Sequence, residues 1–264
     1  MKTVFVSIIA FLATTLRVSP DSGQLMQVDY ENQRTLTVNQ QMVEYTQDAW
    51  VKPSVVPSSS SARWWTYPTN IMTATRNGND LLVLVNKEYK LPQSYAPSDL
   101  VLASNSGIRR GSSYYLRSIL INDLKNLVNA SKADSIDLSI VSAYRSYSTQ
   151  VSTYNYWVSI NGIDGADKIS ARAGHSQHQL GTAVDFSSSE VSDGLGGSFY
   201  TTRAAAWLAS NAWKYGFVIS YPSGYESTTG YSYESWHYRY IGVANAQEMH
   251  GSGMILEVYL ESKN

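Results

Sequence analysis

From residue 81 to the C-terminus, the hydrophobic and polar positions of the chain follow the periodicities of regular secondary structure. Residues 81–85 form an uninterrupted apolar run, and residues 137–141 alternate between polar and apolar side chains. The first pattern predicts a buried strand. The second predicts a strand with polar side chains on one face and apolar side chains on the other. Three more short segments, residues 182–186, 217–220 and 236–241, predict the remaining strands.

Apolar residues recur at helical spacing between residues 113 and 131, where an amphipathic helix is predicted. These residues are Leu116, Leu120, Leu124, Leu127 and Val128. Helices are also predicted over residues 148–160 and 202–215, and Gly216 ends the second of them. Because helices and short strands follow one another in mixed order, we expect an α+β fold with a small antiparallel sheet, flanked by helices, as the floor of a site.

The N-terminal part of the chain has a different character. Lys2 precedes an apolar run over residues 4–13, which is typical of a signal peptide and shorter than the ~20 residues that span a bilayer as a helix. No clean cleavage site follows, so residues 1–19 predict either a cleaved signal peptide or an N-terminal membrane anchor. Residues 20–75 are rich in Ser, Gln and Pro without periodicity, and predict a poorly ordered tether before one domain at residues 76–264.

The composition excludes several classes of function. The 264 residues have a net charge of -1 with 16% charged residues, which is not the basic balance of a nucleic-acid-binding protein. The absence of cysteine excludes disulfides, thiolate zinc ligands, a cysteine nucleophile and lipoprotein anchoring. The 20 Tyr and 7 Trp fit a β-rich core or a groove for sugar or peptide, and both interpretations stay open. We expect a monomer.

His178 and Asp185 are the first candidates for chemistry. They are seven residues apart, an odd offset that would place them on opposite faces of one continuous strand. They can converge only if the chain bends between them, and Gly181 is where such a bend costs least. Asp185 would then share a strand face with Ala183, whose small side chain leaves room for a metal. Taken alone, a histidine near an aspartate is more often a structural hydrogen bond.

Glu234 and His237 are the second pair. Three residues apart, they would share a face on a helix but not on a strand, and residues 236–240 alternate like a strand. We therefore expect Glu234 to end a loop that brings its carboxylate beside a metal rather than onto it. From that position it could act as a general base. Without the adjacent Trp-His, a surface glutamate capping a loop would be the better interpretation.

Arg145 is the third candidate, because it lies where a predicted strand ends and a predicted helix begins. A guanidinium there could hold a substrate carboxylate through two hydrogen bonds or stabilise a developing oxyanion. A surface salt bridge is the alternative. Other mechanisms lack their motifs: the sequence contains no S-x-x-K, no G-x-S-x-G and no H-E-x-x-H, so any zinc site must be assembled from strands and loops.

Two segments together resemble a known family. The patterns S-x-H-x-x-G-x-A-x-D at residues 176–185 and E-x-W-H at residues 234–237 are similar to those of the VanY-type zinc D-alanyl-D-alanine carboxypeptidases, whose wider group includes lysostaphin and the amino-terminal domain of hedgehog. The resemblance runs from about residue 80 to the C-terminus. It includes an opening segment at residues 84–100, an arginine motif at residues 143–150 and a closing helix at residues 256–260. One departure is Ser235, where the family usually has proline.

The resemblance implies an exported enzyme that removes a C-terminal D-alanine from peptidoglycan stem peptides. It implies zinc held by His178, Asp185 and His237, with Glu234 as general base and Arg145 as the anion-stabilising group. Substrate-binding roles are implied for three further residues, Ser176, Gln150 and Trp236. The zinc motif does not distinguish D,D-carboxypeptidases, L,D-carboxypeptidases and endopeptidases. A non-catalytic cell-wall-binding module is a further alternative, although such a module would have no reason to retain Glu234.

Overall fold

The computed structural model describes residues 66–264 and, before them, two short strands. These strands are β1, Thr14–Val18, and β2, Leu25–Asp29, which pair antiparallel. The chain divides into two compact units, Met1–Thr46 and Gln47–Asn264. Apart from β1 and β2, the predicted signal peptide or anchor and the predicted tether up to residue 65 lie outside the described residues.

A four-stranded antiparallel sheet forms the centre of the second unit, as the sequence pattern predicts. Its strands are β7 (Leu138–Ser142), β8 (Ala183–Ser188), β9 (Phe217–Ile219) and β10 (His237–Tyr240), in the spatial order β7-β8-β10-β9. Two smaller pairs accompany it. The parallel pair is β3 (Met72–Thr73) with β4 (Tyr89–Lys90), and the antiparallel pair is β5 (Leu100–Leu102) with β6 (Tyr115–Arg117).

Helices flank the sheet. They are α1 (Ile121–Ala133), α2 (Tyr147–Ile169), α3 (Arg203–Asn211), α4 (Glu226–Thr229), α5 (Val243–Ser252) and α6 (Leu256–Ser262). Ser146 caps α2, because its hydroxyl accepts a hydrogen bond from the Thr149 amide at 3.2 Å. Within the part of the chain that the structure describes, no helix combines the length and apolar character needed to cross a membrane.

The two faces of the central sheet have different roles. Val184 and Phe186 of β8 and Tyr238 of β10 point into the main hydrophobic core, which also contains the apolar side chains of α1 and α3. Successive strand residues point to opposite faces, so Asp185 and His237 lie on the other face. The register places these two directly across from each other. The sheet therefore carries its core on one side and its polar candidates on the other.

Several predicted elements differ from the structure, the first of them at residues 81–85. Residues 81–85 form no strand, and of this run Val83, Leu84 and Val85 are buried whereas Leu81 and Leu82 are only partly buried. Instead, the guanidinium of Arg239, which is fully buried, donates hydrogen bonds to the carbonyls of Leu81 and Val83 at 3.0 and 3.2 Å. A side chain thus satisfies the carbonyls that a neighbouring strand would otherwise satisfy.

The helix predicted over residues 113–131 begins only at Ile121, because Leu116 belongs to strand β6 and a short 3₁₀ turn over Ser118–Leu120 follows it. Leucines at helical spacing continue across the junction between strand and helix, so the periodicity alone places the helix start too early. The predicted helix over 202–215 is α3 followed by a 3₁₀ turn, Ala212–Tyr215, and Gly216 ends it as predicted.

Candidate metal centre

Three buried side chains from three elements converge above the polar face of the sheet. His178 comes from the 3₁₀ helix Gln177–Leu180, Asp185 from β8 and His237 from β10. One ligand-type atom from each lies within 4.8 Å of the others. All three residues are at most 4% exposed. Two imidazole nitrogens and a carboxylate oxygen are a donor set that suits zinc.

The bend predicted between His178 and Asp185 is present at Gly181. This residue ends the 3₁₀ helix in the left-handed conformation, with φ of 69°. An added Cβ would lie 3.0 to 3.2 Å from side-chain atoms of Arg117, Leu100 and Pro97. Both the backbone conformation and the close packing therefore favour glycine at this position.

The hydrogen bonds of His178 leave one ring nitrogen free to bind a cation. Its Nδ1 lies 2.7 Å from the carbonyl oxygen of Ala143 and so carries the proton. Burial lowers the pKa of His178 to about 4, so the ring is neutral and Nε2 has a lone pair. That nitrogen lies 3.3 Å from an Asp185 carboxylate oxygen, which also has only lone pairs to offer. A cation between the two atoms would convert a repulsive contact into two ligand bonds.

Asp185 also contacts the second histidine. Its Oδ1 lies 2.9 Å from Nδ1 of His237. Burial raises the pKa of Asp185, but attraction to His178, which is itself protonated in the acid range where Asp185 titrates, outweighs burial and holds the pKa well below its ordinary range. The aspartate is therefore a carboxylate at neutral pH, the form that binds metals. The other ring nitrogen of His237, Nε2, faces Oε1 of Gln177 at 3.1 Å.

Glu234 lies beside the three candidate ligands and outside their set, where the sequence predicts it. Its Oε2 is 3.8 Å from Nδ1 of His237, and its side chain is 15% exposed. The Glu234 amide donates to the carbonyl of Tyr221 at 3.1 Å, which fixes the loop before β10. Burial and, secondarily, the charge of Asp185 raise the pKa of Glu234 well above its ordinary value, and Arg145 acts in the opposite direction.

Arg145 connects the end of β7 with the start of α2. Its amide donates to the carbonyl of His178 at 3.1 Å, so the arginine and a candidate ligand share a backbone hydrogen bond. Burial lowers the pKa of Arg145, whereas the nearby carboxylates of Asp185 and Glu234 raise it. Its Nε is buried without a hydrogen-bond partner among the described residues. A guanidinium with an unused donor is suited to bind an anion.

The three predicted substrate-binding residues, Ser176, Gln150 and Trp236, lie in three different environments. The Ser176 hydroxyl accepts a hydrogen bond from the amide of His178 at 3.3 Å and caps the 3₁₀ helix. Gln150 is fully buried and donates to the carbonyl of Ala171 at 2.6 Å, while its Oε1 is unpaired. Trp236 is 8% exposed and packs in the main core. For Trp236 this position favours packing over substrate contact.

Two residues of the site were missed in the sequence. Gln177 occupies a variable position of the histidine motif, and Tyr221 follows β9, with its ring 5.0 Å from the ring of His237. Both act through contacts between residues far apart in the chain. No local sequence pattern marks such contacts, because neither residue type is distinctive of a metal site.

Comparison with known proteins adds independent information. Residues 113–243 match the family model of VanY, described as D-alanyl-D-alanine carboxypeptidase. YodJ of Bacillus subtilis (strain 168), named as a carboxypeptidase, is 38% identical over 188 residues, which are 70% of this chain and 69% of YodJ. The likeness covers most of the unit that contains the three candidate ligands.

Solved structures agree with these matches. A structure of the LD-carboxypeptidase LdcB, described for its recognition of peptidoglycan, superposes with a TM-score of 0.66 and 34% identity, over 77% of this chain and 97% of LdcB. A mutant of the vancomycin resistance D,D-pentapeptidase VanY, in complex with Zn(II), has a TM-score of 0.57 and 28% identity, over 68% of this chain and 98% of that one. The zinc of that relative agrees with the donor set found here.

Proposed function

This chain belongs to the VanY family of D-alanyl-D-alanine carboxypeptidases, and from that membership we propose that it is an exported zinc enzyme that removes C-terminal D-alanine from peptidoglycan stem peptides. The observation that supports this proposal best is the convergence of His178, Asp185 and His237 beside Glu234 and Arg145. Two imidazoles and a carboxylate converge within 4.8 Å, with the carboxyl group of Glu234 and the guanidinium of Arg145 beside them. This arrangement supplies ligands, a base and an anion-binding group for peptide hydrolysis.

We propose that His178, Asp185 and His237 hold the zinc. When bound, zinc supplies a Lewis acid and lowers the pKa of a coordinated water to about 7. The unpaired lone pairs of His178 and Asp185 support this assignment, because they face each other at 3.3 Å. The backbone carbonyl of Ala143 holds the His178 ring in the required tautomer.

Glu234 is the proposed general base. Its carboxylate accepts a proton from the attacking water and then donates it to the amine of the leaving D-alanine. In balance, the peptide C–N bond breaks, the carbonyl carbon gains the hydroxyl of water and the amine gains a proton. Burial, which raises the pKa of Glu234, favours the protonated acid that the second step needs. The charge of Arg145, which lowers that pKa, favours the carboxylate that the first step needs.

Arg145 is proposed to bind negative charge on the substrate. Its guanidinium can pair with the terminal carboxylate of the peptide or with the oxyanion that forms at the carbonyl. Gln150, with an unpaired Oε1, and Ser176 are proposed to shape the same pocket. A free terminal carboxylate would need such a buried partner, because an unpaired charge in a buried site is strongly destabilising.

The proposed substrate lies outside the cytoplasm. Residues 1–19 would direct export or anchor the chain, and residues 20–65 would tether the catalytic domain, because residues 66–75 pack against that domain. The relatives include an LD-carboxypeptidase and a D,D-pentapeptidase, so the proposal covers both D,D- and L,D-carboxypeptidase activity.

The proposal is tested by incubating the zinc-loaded protein with defined tripeptide, tetrapeptide and pentapeptide stems, followed by mass spectrometry. Loss of one terminal D-alanine from the pentapeptide or tetrapeptide is expected. A cut within the stem or a cross-link would instead identify an endopeptidase, and binding without cleavage would identify a wall-binding module.

Amidation of the terminal D-alanine tests Arg145. If the guanidinium recognises the carboxylate, amidation should lower kcat/KM by roughly 10–100-fold, since a buried cation is left unpaired. Arg145→Lys should also be poor with the free acid, because a single ammonium cannot make two parallel hydrogen bonds. Equal kcat/KM on the acid and the amide would contradict the carboxypeptidase proposal and leave the zinc site intact.

A further inference from the structure

One polar side chain reaches the metal centre without being a candidate ligand. Gln177 is 4% exposed, and its Oε1 accepts two hydrogen bonds. Nε2 of His237 lies 3.1 Å away and the hydroxyl of Ser220 lies 2.7 Å away. A carbonyl oxygen has two lone pairs, so these two donors use its full capacity.

The orientation of this amide determines which nitrogen of His237 is free. With Oε1 toward the ring, Nε2 must carry the proton, and Nδ1 has its lone pair directed toward Asp185 Oδ1 at 2.9 Å. With the amide NH₂ toward the ring, the opposite tautomer would result, and Nδ1 would be protonated. Only the first arrangement lets His237 bind a metal through Nδ1, on the side where His178 and Asp185 lie.

The chain fixes Gln177 from two directions. It is the first residue of the 3₁₀ helix that carries His178, so one short segment holds one ligand and contacts the other. Ser220 directly follows β9, and its amide donates to the carbonyl of His237 at 3.2 Å. Ser220 is 2% exposed. Ser220 thus holds the backbone of His237 directly and the ring of His237 through Gln177.

We propose that Gln177 is a positioning residue that, with Ser220, sets the tautomer and orientation of His237 as a zinc ligand. Hydrogen-bond partners of this kind typically contribute 10–100-fold to metal affinity. Because Gln177 is an uncharged amide and His178 is held by a backbone carbonyl, both histidines are oriented by neutral groups. The inference rests on the proposed zinc site.

The test compares four purified, full-length proteins by competition with a zinc chelator: wild type, Gln177→Leu, Gln177→Glu and Gln179→Leu. We expect Gln177→Leu to bind zinc 10–100-fold more weakly. Gln177→Glu should bind at least as tightly as wild type, because a carboxylate accepts the same two hydrogen bonds. Gln179→Leu is the matched control. Gln179 is buried in the same 3₁₀ helix but donates to the carbonyls of Pro92 and Tyr95, so its zinc affinity should stay within about threefold of wild type.

A second readout reports the tautomer directly. In zinc-loaded wild type, the Nε2–H of His237 should give a slowly exchanging imidazole signal in ¹H–¹⁵N NMR spectra, and Gln177→Leu should lose it. If Gln177→Leu does not fold, Gln177→Asn, whose amide is one methylene shorter, replaces it with the same expectation. A folded variant of either kind with wild-type zinc affinity would overturn this inference alone. A wild-type protein that takes up no zinc would overturn the proposed function and, with it, this inference.

Discussion

At the scale of single residues, the candidate site contains few charged groups, and these groups are of opposite sign. Asp185 is a carboxylate, whereas burial raises the pKa of Glu234. Arg145 is the nearby cation that acts on both acids, and burial keeps His178 neutral. Glu234 also differs from Asp185 in position, because its Oε2 lies 3.8 Å from Nδ1 of His237 and outside the set of three candidate ligand atoms. Its removal should therefore affect proton transfer and leave metal binding intact.

Glu234→Gln should lower kcat by roughly 10²–10⁴ while the protein keeps its zinc, since a positioned acid-base group typically contributes that much. Zinc content by atomic absorption and kcat on a stem peptide are measured on the same sample. Glu248→Gln is the control, because Glu248 is 57% exposed and pairs with Lys263 on the surface. An unchanged rate in zinc-loaded Glu234→Gln would exclude this residue from the mechanism.

Lys87 is a second residue with an unusual electrostatic environment. It is 5% exposed, its Nζ has no hydrogen-bond partner among the described residues, and the rings of Tyr231 and Tyr67 lie 4.8 and 5.1 Å from that atom. Burial lowers the pKa of Lys87 to about 8, although Asp167 acts to raise it. Unfolding restores the ordinary pKa of 10.5. Between these two values the unfolded chain holds a proton that the folded chain lacks, so this lysine makes the free energy of unfolding rise with pH.

Lys87→Met should therefore stabilise the protein below pH 8, by roughly 1 kcal/mol, because contacts between the cation and the aromatic rings offset part of the cost of burial. The advantage over wild type should shrink as the pH rises from 8 toward 10.5. Urea unfolding at several pH values measures both effects. Lys90→Met, at an exposed position three residues later, should show no such pH dependence. A variant less stable than wild type at pH 7 would contradict this account.

At the scale of elements, the sequence predicts what local periodicity controls. The strand at residues 137–141 and the antiparallel sheet are found, as is the bend at Gly181. The apolar run at residues 81–85 is only partly buried at its start, and Arg239 donates hydrogen bonds to the carbonyls of Leu81 and Val83 in place of a neighbouring strand. No local pattern reveals this contact, because Arg239 is 158 positions from Leu81. Helix α2 is an intermediate case, since the prediction of residues 148–160 covers only its first segment.

The reason is Gly162, where α2 is interrupted. Its φ of 69° and ψ of 174° are non-helical, and the chain forms a second helical segment beyond it. Nothing lies within 4 Å of a Cβ added at Gly162, so a substitution there would change the backbone energy without a steric clash.

Gly162→Ala should destabilise the protein by about 1–3 kcal/mol, the range for a non-glycine residue held in a sparsely populated conformation. Gly251→Ala is a matched control, for which we expect a change in stability of the opposite sign. Gly251 lies in α5, also with open space around an added Cβ, and without a positive φ. That variant should stabilise by about 0.4–1 kcal/mol. Thermal unfolding of both variants gives the comparison, and a stabilised Gly162→Ala protein would contradict it.

At the scale of the molecule, Tyr67 joins parts of the chain that are distant in sequence. Its hydroxyl lies 3.0 Å from that of Tyr231 and accepts a hydrogen bond from the amide of Arg172 at 2.8 Å. The guanidinium of Arg172 lies 4.2 Å from the centre of the Tyr67 ring, and His175 meets the ring edge-on at 4.9 Å. Residues 66–75, assigned to the tether from sequence, therefore pack against residues of the predicted catalytic domain.

Two truncations test that contribution. A protein lacking residues 1–75 should unfold at least 6–12 °C below one lacking residues 1–65. Loss of the Tyr67 ring and its hydrogen bonds should cost at least about 3 kcal/mol, and each kcal/mol lowers Tm by about 2–4 °C at this size. Tyr67→Phe in the longer protein, which keeps the ring and loses the hydrogen bonds, should fall between the two. Equal Tm values for the truncated proteins would show that residues 66–75 are dispensable for folding.

Because of the register between β8 and β10, zinc binding should report whether the chain is correctly folded. Asp185 and His237 are 52 positions apart, and they meet only because the two strands pair in the register that places Asp185 opposite His237. A slip of one residue would turn Asp185 toward the hydrophobic core and bring Val184 to the polar face, since successive side chains alternate. A misregistered chain could be compact and rich in secondary structure, yet it could not assemble the ligand set. The fraction of refolded protein that binds zinc should therefore count native molecules more strictly than circular dichroism does.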